Sequence, residues 1–104
     1  MPQPNSNQST GAATKDRTGI DEPRQYKVVV HNDDFTTIEF VADMFVRVFS
    51  KPADEAMALT MKIHREGKAV AGVFSYDVAM TKAHQAMALA RDSGYPLRLT
   101  CEPD

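Results

Sequence analysis

The sequence predicts a compact α/β domain of order β-α-α-β-α-β, with helices covering one face of a small, mostly antiparallel sheet. A β-branched run at its start and an alternating run at its end read as strands, and three stretches with apolar residues at helical spacing lie between them. Composition sets the boundary of this unit. All five Phe and all three Tyr fall at or after Tyr26. Residues 1–25 hold one β-branched aliphatic, Ile20, among Pro, Gly and small polar residues. Such a segment buries too little apolar surface to repay the entropy of ordering it, so a flexible extension over 1–25 and a folded domain over 26–104 are expected.

The first strand is Tyr26-Lys27-Val28-Val29-Val30-His31, ended by the turn-forming cluster Asn32-Asp33-Asp34. Thr36 with Glu39 three residues later forms a candidate capping box, and Ile38, Val41, Phe45 and Val48 repeat at helical spacing, predicting helix one over 37–49. Pro52 is tolerated in the first turn of helix two, whose periodic positions are Ala56, Leu59 and Ile63 and whose stop is Gly67; His64 then lies in its last turn. Residues 69–74 form a short extended run in which Gly72 marks a bulge or a close backbone approach. Helix three spans 76–92, with Ser75 as its cap, a small-residue stripe at Ala79, Ala83, Ala86 and Ala90, and Gly94 just past its end. Pro96-Leu97-Arg98-Leu99-Thr100-Cys101 supplies the last strand.

Several function classes are disfavoured at once. Twelve Lys and Arg against fourteen Asp and Glu give a net charge of -2, which attracts neither nucleic acid nor an anionic membrane. A single Cys, Cys101, forms no internal disulfide and furnishes no thiolate zinc site, and His31, His64 and His84 lack metal-binding spacing, so neither metal nor cofactor is expected. No apolar run reaches the roughly 20 residues of a membrane span and no signal-peptide pattern opens the chain, so a cytoplasmic location is expected. There is no nucleophile motif, phosphate-cradling glycine loop or dinucleotide fingerprint. A hydrolase built from His64 with Asp33 or Asp34 would lack a nucleophile, and no enzymatic activity is expected.

Binding is the better-supported class. Asn32, Asp33 and Asp34 place an amide and two carboxylates beside the start of helix one. Capping and turn formation are the plain role of such residues. The alternative is recognition of a primary ammonium, whose three donors suit carboxylate and amide oxygens.

The stretch Tyr26-Lys27-Val28-Val29-Val30-His31-Asn32-Asp33-Asp34-Phe35-Thr36-Thr37-Ile38-Glu39-Phe40-Val41 resembles the opening segment of ClpS, the adaptor of the bacterial Clp protease. Ile63-His64-Arg65-Glu66-Gly67-Lys68, Ala71-Gly72-Val73-Phe74, Asp77-Val78-Ala79-Met80-Thr81-Lys82 and Tyr95-Pro96-Leu97 extend the resemblance in family order across 26–102. It implies an adaptor that binds the free α-amino group and bulky first residue of N-degron substrates, with amino-terminal Phe, Tyr, Trp or Leu. Substrates would pass to a ClpA-type AAA+ unfoldase, or to ClpC. The alternative is a peptide or protein-interaction module of the same fold without amino-terminal recognition.

Residue by residue, the resemblance implies that Asn32, Asp34 and His64 contact the amino group and first peptide unit, with Asp33 adjacent and supporting. Thr36 resembles a rim residue, and Val30, Ile38, Val41, Thr60, Ile63 and Leu97 match positions that line the side-chain cavity. Asp77 and Lys82 match the unfoldase-docking surface, although Met80 stands where Glu is common. The extension resembles a family segment that takes part in delivery. Thr37, Ile38 and Thr60 depart from the Pro, Met and Met common in the family. A β-branched Ile38 makes a stiffer gate, expected to exclude amino-terminal Ile and Val. A Thr60 hydroxyl aimed inward without a protein partner would disfavour Leu, giving Phe, Tyr and Trp above Leu in a specialised paralogue.

Overall fold

A computed structural model describes residues 24–104. The order is β1 (Gln25–His31), α1 (Ile38–Phe49), α2 (Ala53–Glu66), β2 (Lys68–Ser75), α3 (Tyr76–Asp92) and β3 (Arg98–Pro103). The predicted order is the observed one. The extension lies outside the described residues except for Arg24 and Gln25, and Gln25 already belongs to β1, opposite Ser75.

The sheet has three strands in the order β2-β1-β3, and both pairings are antiparallel. Val28 and Val30 face the helices, opposite Cys101 and Leu99 of β3, and pack with Met44, Phe45 and Phe49 of α1. The stripe Ala79, Ala83, Ala86 and Ala90 is buried along α3, where side chains of one carbon let a helix approach the sheet closely. The register of β1 on β2 jumps from Val28 opposite Gly72 to Val29 opposite Val70, leaving Ala71 as the extra residue of a bulge. Ala69 and Ala71, two positions apart, are both buried.

The helix starts correct two sequence expectations, the Thr36–Glu39 capping box and Pro52 in the first turn of α2. Thr37, not Thr36, caps α1, its hydroxyl accepting from the Phe40 N–H at 3.1 Å, so the helix begins at Ile38. With Thr37 at the cap, Thr36 lies outside the helix and the Thr36–Glu39 capping box does not form; the Thr36 hydroxyl donates to Asp33. Ser75 occupies the cap position of α3 without a side-chain capping bond, and Pro52 is the cap residue of α2 rather than part of its first turn. Gly67 ends α2 in the left-handed region at φ 93°, with its N–H bonded to the Ile63 carbonyl at 2.8 Å.

Gly72 provides the close approach expected of it. A Cβ there would lie 2.6 Å from Cζ of Phe74, whose ring also packs 6.2 Å from that of Phe49. Gly72→Ala is therefore expected to lower stability by about 1–3 kcal/mol through overpacking. Urea denaturation checks this, and an unchanged midpoint counts against the packing described.

Candidate functional site

The end of β1 and the end of α2 meet through one backbone bond, from the Asn32 N–H to the Gly67 carbonyl at 2.9 Å. That bond brings the loop 32–37 beside the last turn of α2, which carries His64. Between loop, α1 and α2 lies a cleft of about 220 Å³, lined by Asn32, Asp33, Asp34, Thr36, Ile38, Val41, Thr60, Ile63 and His64. Its wall grades from polar to apolar. Asn32, Asp34 and His64 are exposed at the mouth, Ile38 is partly exposed (36%) at the rim, and Val41, Thr60 and Ile63 are buried at the inner end.

The two adjacent carboxylates do different work. Oδ1 of Asp33 accepts from the Phe35 and Thr36 N–H groups, both at 2.8 Å, and Oδ2 accepts from the Thr36 hydroxyl at 2.6 Å. Partial burial alone would raise the pKa of Asp33, but these three bonds outweigh it and hold the carboxyl below its ordinary value. Asp33 thus shapes the loop, whereas the exposed Asp34 lies at the mouth with Asn32 and His64.

Seven sequence-derived cleft positions can be compared with this geometry. Thr36, Ile38, Val41, Thr60 and Ile63 line the cleft, whereas Val30 and Leu97 belong to the buried core cluster and not to the cleft wall. The Thr60 hydroxyl has a protein partner, donating to the Ala56 carbonyl one turn back at 2.7 Å. The proton therefore sets no penalty on Leu, and only the accepting capacity of the oxygen is left open. Phe35 escaped the sequence reading as an individual residue, yet it stands 75% exposed between two cleft-lining residues. Its signal was a large aromatic inside an otherwise polar turn.

Asp77 and Lys82 lie together along a second, shallower depression on α3, with Val78, Thr81 and Gln85. Lys82 also has an internal role. Its ammonium donates to the Val48 carbonyl at 3.0 Å, in the last turn of α1, and lies 5.9 Å and 5.6 Å from the Phe49 and Phe74 ring centres. His31 points away from the cleft, bonded through Nε2 to the Thr100 hydroxyl at 2.8 Å. Among the described residues no group of three His, Cys, Asp or Glu side chains is placed to hold a metal, and no helix is long and apolar enough to cross a membrane.

The family model for the ATP-dependent Clp protease adaptor protein ClpS matches residues 21–100. The chain belongs to the ClpS family. It is 44% identical over 86 residues to the ClpS of Clostridium acetobutylicum, covering 83% of this chain and 85% of that one. The ClpS of Rhodospirillum centenum is 43% identical over 96 residues, covering 92% and 89%. Agrobacterium tumefaciens ClpS2, solved bound to L-phenylalaninamide, superposes with a TM-score of 0.78 at 41% identity, covering 80% of this chain and all of that one. ClpS proteins are adaptors rather than enzymes, cytoplasmic components of the Clp system that recognise N-degron substrates and deliver them to the Clp unfoldase.

The Asp33 bonds have a pH signature. With its folded pKa depressed, Asp33 contributes stability that is fully present above the unfolded carboxyl value, about 3.9, and is lost as pH falls through the lower folded value. The Phe35 and Thr36 amide resonances should titrate together with a midpoint below that of an ordinary Asp, and Asp33→Asn should abolish the transition. A midpoint at or above the ordinary value argues against the loop described.

Proposed function

We propose that this cleft captures the first residue of a polypeptide, its ammonium group at the Asn32, Asp34 and His64 mouth and its side chain against Val41, Thr60 and Ile63. The observation that carries the reading is the gradient itself: exposed acceptors and a buried apolar floor share one cavity of about 220 Å³. Desolvating a bulky side chain supplies affinity, and acceptors at the mouth discriminate against an acylated terminus that has lost its charge and donors. The ligand of the Agrobacterium relative, L-phenylalaninamide, combines a free amine with an aromatic side chain and supports this reading.

Phe, Tyr, Trp and Leu are the proposed first residues. Leu stays among them because the Thr60 proton is already bonded within α2. Ile38 at the rim disfavours β-branched Ile and Val. Captured substrates pass to a ClpA-type unfoldase, with ClpC as the other candidate, through the α3 surface that carries Asp77 and Lys82. Residues 1–25 assist delivery.

Fluorescence anisotropy with a peptide bearing free amino-terminal Phe, and with its acetylated counterpart, tests amine recognition directly. Only the free form should bind. His64→Ala and Asp34→Ala should each weaken binding by more than about 1.5 kcal/mol while circular dichroism shows the fold retained. Affinity within twofold of the parent in both variants sinks the amine site, and equal binding of the acetylated peptide favours an interaction module without amino-terminal recognition.

Delivery has its own test. Removing residues 1–20 should leave peptide affinity unchanged, because every cleft residue follows His31, yet slow unfoldase-dependent degradation of a model substrate at subsaturating concentration. Equal degradation by both forms removes the role assigned to the extension.

A further inference from the structure

Thr60 is the one buried polar side chain among the described residues, 3% exposed, and it lines the cleft with the buried Val41 and Ile63. A hydroxyl has one proton and two lone pairs. The proton is directed to the Ala56 carbonyl at 2.7 Å, and among the described residues no side-chain or backbone group donates to the oxygen in return. Towards a ligand, Thr60 can therefore only accept. The cavity opens to solvent at the Asn32 and His64 mouth, so water is the partner available to this oxygen when no ligand is bound.

Filling the cleft with a side chain removes that water. Phe and Leu leave the oxygen facing carbon, an acceptor deprived of its partner in a dry site. Tyr, through its hydroxyl, and Trp, through its indole N–H, carry a donor on the part of the side chain that enters deepest. From this asymmetry, and resting on the reading of the cleft as a first-residue site, we propose that Thr60 biases the cleft towards amino-terminal side chains with a hydrogen-bond donor at the ring, Tyr and Trp, over Phe and Leu of similar apolar character. A methionine thioether accepts only weakly, so the same position occupied by Met does not distinguish Tyr from Phe by this route.

The inference concerns a ratio of affinities, which separates it from the general contribution of Thr60 to the shape of the cavity. Anisotropy on the full chain, with peptides identical except for a first residue of Phe, Tyr or 4-fluorophenylalanine, provides the measurement. The fluorinated residue extends the ring where Tyr carries its hydroxyl but brings no donor. Tyr should bind about three- to tenfold more tightly than Phe, the range of one neutral hydrogen bond, and 4-fluorophenylalanine should follow Phe. Thr60→Val keeps the side-chain shape without the oxygen, and in it the Tyr-to-Phe ratio should fall to about one. Thr60→Ser, which keeps the hydroxyl, should retain the preference.

A Tyr-to-Phe ratio unchanged by Thr60→Val, or 4-fluorophenylalanine binding as Tyr does, overturns the inference. The peptide comparison on the parent chain decides it even if a substitution in the floor prevents folding. Failure of the first-residue reading looks different. In that case free and acetylated Phe peptides bind alike or not at all, whatever stands at position 60.

Discussion

The Asn32 N–H to Gly67 carbonyl bond is the constraint on which the cleft depends. Gly67 leaves α2 through the left-handed region, and Lys68 immediately opens β2 opposite His31. The chain reversal and the first rung of the β1–β2 ladder are thus one event. They set the loop after β1 against the last turn of α2, and His64 comes to lie beside Asn32 and Asp34 although 30 positions separate it from Asp34. The loop's own shape then follows from Asp33, whose three accepted bonds hold Phe35 and Thr36 in place. Each of these exposed polar groups is attached to backbone that is already fixed, the preorganisation a binding site needs.

Most of the architecture was legible because it is written in periodicity. The β-branched run of β1, the 3.6-residue repeat of α1 and the alanine stripe of α3 each favour one local structure, and their neighbours agree. The caps were less legible. Thr36 and Thr37 are chemically the same residue, and the turn braced by Asp33 sets Thr37, not Thr36, where its oxygen meets the Phe40 N–H. Which of two adjacent hydroxyls reaches the first turn is a matter of backbone geometry, which residue type alone does not rank.

The site divides in the same way. Asp33 and Asp34 are indistinguishable by type, and the turn geometry makes one a brace and the other a surface group. Val30 and Leu97 are as apolar as Val41 and Ile63, but where the chain leaves a gap depends on how α1 and α2 diverge, a property of the packed elements and not of any one side chain. Thr60 shows the finest case. Its presence in α2 was evident, whereas the direction of its proton, which fixes what its oxygen can offer, emerges only with the helix in place.

The placement of α1 bears on how such an adaptor is handled. Ile38 at its amino end forms part of the cleft rim, and its other end is clasped by Lys82, a residue of the α3 surface. Ile38 and Val48 stand ten positions apart along the helix, a span of about 15 Å at 1.5 Å per residue. In the proposed reading, a polypeptide emerging from the mouth and a large protein seated on α3 occupy different space, so the cargo can stay in hand while the carrier is itself being held.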